Sequence, residues 1–193
     1  MKRSGILPRF ALPFVLLLSL AAVLPVSGCK KKQPPAPAGD GEPIRLNAFA
    51  EIDHYKEILR KDPNNLQALV GIGNLYFDTK QDLLAIEHYR KALALDPSNP
   101  NVRTDMAVCF RRSGNPDQAI EELKKAISTS PRHAQSRYNL GVILIHDKND
   151  VEGGIKAWEA LLENVPDYAY RDNLKAEIAR MRSMVESAKP RYK

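Results

Sequence analysis

From Leu66 onward, apolar residues recur at helical spacing in two blocks separated by a short polar stretch. Leu69, Ile72, Gly73 and Tyr76 make the first face, and Ala85, Ile86, Tyr89, Ala92 and Leu93 make the second. Steps of three and four residues place each set along one side of an α-helix. Asp78-Thr79-Lys80-Gln81-Asp82 separates the two helices, and Asp96-Pro97 closes the unit. Gly73 and Ala85 are small enough to let the helices approach, while Tyr76 and Tyr89 fill the space beside them.

The pattern recurs 34 residues on: Pro97 becomes Pro131, Ala92 becomes Ala126, Ala85 becomes Ala119, Tyr76 becomes Phe110 and Gly73 becomes Ala107. The second turn, Ser113-Gly114-Asn115-Pro116, supplies a Gly, an Asn at the N-cap and a Pro at the first helical position. A third copy carries Leu140-Gly141, Leu144, Gly154, Trp158, Leu161 and Pro166, with one extra residue in the turn between Asp147 and Asp150. Gly153-Gly154 weakens the start of its second helix by up to about 1 kcal/mol per Gly, which predicts looser pairing there. In the other direction, Ile86, His88, Tyr89, Leu93 and Pro97 map back to Ile52, His54, Tyr55, Leu59 and Pro63.

These residues resemble the tetratricopeptide repeat, a 34-residue unit marked by a large residue, Leu-Gly, Tyr, Ala, an aromatic, Ala and Pro. The resemblance implies an all-α fold, a right-handed superhelical solenoid of helix-turn-helix repeats. The expected layout is a domain over 47–188: a half repeat at 48–65, repeats at 66–99, 100–133 and 134–167, and a capping helix at 168–188. Within that last segment Leu174, Ile178, Met181 and Val185 form one apolar stripe on a polar helix, as a terminal repeat requires.

The first 28 residues read differently. Met1 to Arg9 is basic, and Phe10 to Leu24 is apolar but interrupted by Pro13. About 15 apolar residues fall short of the roughly 20 that span a bilayer, so the stretch reads as a secretory signal. It ends in Val26-Ser27-Gly28-Cys29, which resembles the bacterial lipobox. That resemblance implies cleavage before Cys29, lipid on its thiol and stable anchoring through several acyl chains. Lys30-Lys31-Lys32 either favours anionic headgroups or simply solubilises the tether. Lys at the position after Cys29, by analogy with enteric sorting, favours the outer membrane over the inner one, with the protein facing the periplasm. The tether, 29–46, contains QPPAPAGDGEP from Gln33 to Pro43. Extended polyproline geometry at about 3.1 Å per residue would hold the domain a few nanometres from the bilayer.

The composition, 44% apolar and 27% charged over 193 residues, suits a folded helical protein. The formal charge of +6 shrinks once the signal is removed: taking Lys2, Arg3 and Arg9 from 29 basic residues leaves 26 against 23 acidic ones. That small excess, without basic blocks interleaved with aromatics, gives no nucleic-acid footprint. No phosphate loop, zinc-protease motif, Gly-flanked nucleophilic Ser or dinucleotide fingerprint occurs, and no Cys-x-x-Cys-His for haem. Cys109 reads as a small buried hydrophobe. His54 and His88 share a register but lack a third ligand. No catalytic role, cofactor, metal or small-molecule substrate is expected.

Function then rests on the concave surface. Family knowledge places groove residues at the second, fifth, ninth, twelfth and thirteenth places of each repeat. These are Gln67, Val70, Asn74, Phe77 and Asp78; Asn101, Thr104, Val108, Arg111 and Arg112; and Gln135, Tyr138, Val142, Ile145 and His146. Apolar residues with an Arg pair suit a peptide or helix with apolar anchors and an acid; alternatively Val70, Val108 and Val142 pack between repeats. The carboxylate clamp of chaperone-binding members is not matched. Its places hold Val70, Asn74, Asp105, Gln135 and Asn139, of which only Asn74 fits, and Asp105 would repel a carboxylate. The resemblance implies a membrane-anchored adaptor for another protein of the bacterial envelope. The resemblance suggests company such as pilotin-like and outer-membrane assembly lipoproteins; a rival reading from another class is an accessory lipoprotein that localises a peptidoglycan enzyme.

Overall fold

The structure, a computed structural model, describes residues 42–188. The signal segment, Cys29 and the tether up to Gly41 lie outside the described residues. Eight α-helices follow one another: α1 (Glu42–Lys61), α2 (Leu66–Asp78), α3 (Asp82–Leu95), α4 (Pro100–Arg112), α5 (Pro116–Thr129), α6 (Ala134–His146), α7 (Val151–Asn164) and α8 (Arg171–Ala188). The domain is an all-α solenoid in which each helix packs on the next. α1 starts earlier than the sequence pattern predicts, so 42–46, read as tether, is helical. Pro43 stands in its first turn, where a missing N–H costs nothing.

The connections before α2 and α4 are built from one local device, and His133 takes the capping place before α6. In Asp62-Pro63-Asn64-Asn65 the Asp accepts from the Asn64 N–H at 3.2 Å, and Asn65 Oδ1 accepts from the Ala68 N–H at 3.0 Å. Asp96-Pro97-Ser98-Asn99 repeats both bonds, at 3.2 Å to Ser98 and 3.1 Å to Val102. A first helix therefore begins at a side-chain cap each time, with an otherwise orphan N–H satisfied. Asn115, expected to cap α5, makes no such bond and instead donates to the Ser113 carbonyl at 3.0 Å.

The turns inside the repeats each carry one left-handed residue: Lys80 (φ 59°), Gly114 (φ 78°) and Asn149 (φ 54°). Gly114 and Asn149 adopt that region readily, and Lys80 does so at a cost. The extra residue of the third turn is accommodated between α6 and α7, which brings their faces back into register.

Packing within a repeat follows the small residues. A Cβ on Gly73 would lie 2.6 Å from the Tyr89 ring, so α2 and α3 are as close as an aromatic ring permits. The third repeat is not looser, as Gly153-Gly154 predicts, but equally close. A Cβ on Gly154 would stand 2.9 Å from the Gly141 carbonyl oxygen. Asp150 Oδ1 accepts from the Gly153 N–H at 2.8 Å and caps the helix start that the glycines weaken. Trp158 fills the space beside Gly141, its Nε1–H donating to the Tyr138 carbonyl at 3.0 Å.

Two apolar clusters result. One runs from Ile52 through repeats one and two to Ile143, and the other joins Ile145, Trp158 and Leu161 to α8. Leu174, Ile178 and Met181 are buried against the end of the third repeat, and Val185 is half-buried. The polar helix α8 therefore covers the apolar end face of the third repeat.

Candidate functional site: the concave face

The first helices touch their counterparts across the array, α2 with α4 and α4 with α6, whereas α3 and α5, and α5 and α7, do not. Closeness on one side and separation on the other curves the stack, with α2, α4 and α6 on the inner face.

Along that face Gln67, Asn74, Asn101, Gln135 and Tyr138 are exposed. Asn74 is held by the buried Tyr89, whose hydroxyl donates to Asn74 Oδ1 at 2.8 Å. Tyr138 is exposed on one side and stacked on Trp158 on the other, ring centroids 5.8 Å apart. Val70 and Val142 are half-buried against the first and second clusters respectively, so both pack as well as face the groove. Val108 and Phe77 are also half-buried. At the N-terminal end, a pocket of about 540 Å³ is lined by Gln67, Val70 and Asn74 with Tyr55, Leu66, Gly71 and Asn99. Tyr55 was legible as a repeat residue but not as a groove residue, because its place in the repeat belongs to a second helix.

Two positions expected in the groove are not there. Thr104 is fully buried: its hydroxyl donates to the Pro100 carbonyl at 2.6 Å and meets Ser136 Oγ at 2.6 Å. Ser136 Oγ in turn lies 2.6 Å from His133 Nδ1, and His133 Nε2 is 2.9 Å from Asn101 Oδ1. Thr104 thus belongs to a polar chain joining α4 to α6, and buried hydroxyls of this kind keep their partners. Asn101, though exposed, is tied into the same chain. Ile145 is buried in the second cluster, against α7 and α8.

The arginine pair is also differently employed. Arg111 Nε donates to Asp147 Oδ2 at 2.6 Å, bridging α4 to the turn after α6. Arg112 donates to Asp82 through Nε at 2.9 Å and to the Phe77 carbonyl through Nη2 at 3.0 Å. Its guanidinium lies 4.2 Å from the Phe77 ring centroid. Both arginines join one repeat to the next, and neither offers an unpaired charge to a ligand. Nothing in the spacing marks Asp82 and Asp147 as their partners, since they lie 30 and 36 residues from them.

What the groove does leave unpaired is acid. Asp78 ends α2 and is exposed, and Asp105 on α4 is half-buried. Among the described residues neither has a hydrogen-bond or ion-pair partner. Burial, with the Asp78 charge nearby, pushes the Asp105 carboxyl up to about 6. Cys109, beneath Arg112, is fully buried, and burial raises its thiol to about 12, so it is no nucleophile at neutral pH. His88 packs on Tyr76, ring centroids 5.6 Å apart, and among the described residues no three metal-ligating side chains gather.

Comparison with known proteins agrees with this geometry. One tetratricopeptide repeat family model matches residues 84–124 and 110–178, and a second matches 52–100. No curated protein matches in sequence. Among solved structures, MamA is similar at 22% identity with a TM-score of 0.61, over 76% of this chain and 93% of that one. MamA from Desulfovibrio magneticus RS-1, residue 41 to its end, is similar at 18% identity and TM-score 0.58, over 62% and 67%. The first repeat domain of Spaghetti (RPAP3), bound to the HSP90 peptide SRMEEVD, is similar at 23% identity and TM-score 0.54, over 63% and 96%. With the family matches spanning 52–178 and helix pairs recurring at the repeat period, the chain belongs to the tetratricopeptide repeat family.

Proposed function

We propose that this protein is a lipid-anchored adaptor that holds a peptide or helix of another envelope protein against its concave face. The observation that carries the reading is the row of exposed polar and aromatic groups on α2, α4 and α6, Gln67, Asn74, Gln135 and Tyr138, aligned on one inner surface. Rigid helices present them, so a ligand is met by a preformed surface. The Spaghetti domain, solved bound to the HSP90 peptide SRMEEVD, supports peptide binding by such a fold, although that peptide is acidic. The anchor rests on the sequence: a short apolar signal, Val26-Ser27-Gly28-Cys29 and a Pro-rich tether before α1. Cys29 carries lipid, the periplasm is the working compartment and the outer membrane is the favoured surface.

The test is capture from solubilised envelope with the lipidated protein as bait. Gln67→Trp combined with Gln135→Trp fills the groove at exposed positions without touching the core. The expected result is one or a few proteins retained by the parent and lost with the filled groove. Retention that ignores the two Trp residues overturns the groove reading. Cys29→Ser should move the protein from membrane to soluble fractions; a variant that stays membrane-bound overturns the anchor.

A further inference from the structure

The charge of the groove reverses the expectation drawn from its sequence. Arg111 and Arg112 are paired with Asp147 and Asp82. Asp78 and Asp105, close enough to repel one another, form no hydrogen bond or ion pair among the described residues, and the already paired Arg112 acts on Asp105 only as a neighbouring charge. Asp78 comes from the end of α2 and Asp105 from the middle of α4, so the two carboxylates flank the junction between repeats one and two. Asn74 and the Tyr89 hydroxyl lie beside them, and Phe77 and Val108 supply half-buried apolar surface at the same level. We infer that the segment held in the groove presents a Lys or Arg side chain to Asp78 and Asp105, with apolar residues beside it on Phe77 and Val108. The inference rests on the groove reading above and adds the charge of the occupant.

Charge complementarity selects this occupant over an acidic one. A second carboxylate would add repulsion to a site that already holds two acids, one of them half-buried. An ammonium or guanidinium supplies the donors that two partnerless carboxylates lack, and a charge-assisted bond is stronger where water is partly excluded. A bound metal is a poor alternative, because among the described residues no third ligand joins the pair. The Lys or Arg also explains how a half-buried, unpaired acid is tolerated on a groove wall: its partner arrives with the ligand.

The experiment uses random dodecapeptides displayed on phage, selected on the full-length protein in detergent. Selection is run in parallel on the protein carrying Asp78→Asn with Asp105→Asn. Both substitutions keep side-chain shape, and melting curves confirm that the variant is folded. The expected outcome is a family of peptides with Lys or Arg beside apolar residues, displaced by the Trp-filled groove. Such peptides should bind the double Asn variant about tenfold more weakly. Groove-dependent peptides that are acidic or uncharged, or basic ones that bind the Asn variant equally well, overturn the charge assignment and leave the groove reading standing. Peptides indifferent to the Trp-filled groove, or none at all, overturn the groove reading and this inference with it.

Discussion

Arg112 shows how a residue's role is set by what surrounds it. Its position in the repeat marks it for ligand contact, yet its guanidinium is spent on Asp82, the Phe77 carbonyl and the Phe77 ring. Arg112→Ala removes a partly exposed ion pair and a cation–π contact together, so a loss of roughly 1–2 kcal/mol is expected. Thermal unfolding measures it, and an unchanged melting temperature would show that the clamp contributes nothing. Asp105 is the converse case. Its folded carboxyl takes up a proton below about 6, whereas the unfolded one does so only near 3.8. Between those values the folded state holds more protons, so this group favours folding increasingly as pH falls from 7 towards 4. Asp105→Asn lacks that dependence. The variant should be more stable than the parent at pH 7 by on the order of 1–3 kcal/mol, the gap closing by pH 4. Denaturant titrations at the two pH values test this, and a constant gap would refute it.

At the scale of elements, the decisive one is α8. Leu174, Ile178 and Met181 pack on a face formed by Trp158, Leu161 and Leu162. Each fully buried side chain of this kind contributes roughly 1.5–3 kcal/mol before entropy is subtracted. Ending the chain after Asp167 should strip protection from α6 and α7 far more than from α2 and α3, because contacts run only between neighbours. Hydrogen exchange distinguishes the outcomes: even loss throughout would indicate one cooperative unit, and no loss would make α8 dispensable. The same stripe was visible in the sequence as apolar residues four, three and four apart. What those spacings leave open is the partner face, which in the folded chain is the third repeat.

Over the whole molecule, two clusters meet at α6, which gives Ile143 to one and Ile145 to the other. Ile143→Ala should therefore weaken the join between the second and third repeats. A broader or biphasic denaturant transition is the expected reading, with a single sharp transition as the contrary result. The sequence alone determined the repeat, its period, the number of helix pairs and the terminal cap. All of these follow from apolar periodicity and small residues at fixed intervals, which act within one unit or on its immediate neighbour. It also supplied the exposed groove positions Asn74, Gln135 and Tyr138, whose orientation is fixed by helical phase. Only the tertiary structure decided which polar residues are spent. Thr104 is consumed by Ser136, Arg111 by Asp147 and Arg112 by Asp82, across separations of 30 to 36 residues. The period says which residues share a face, but not which reach one another between repeats. That depends on how closely α2, α4 and α6 approach, and their approach leaves Asp78 and Asp105 as the groove's unpaired charges.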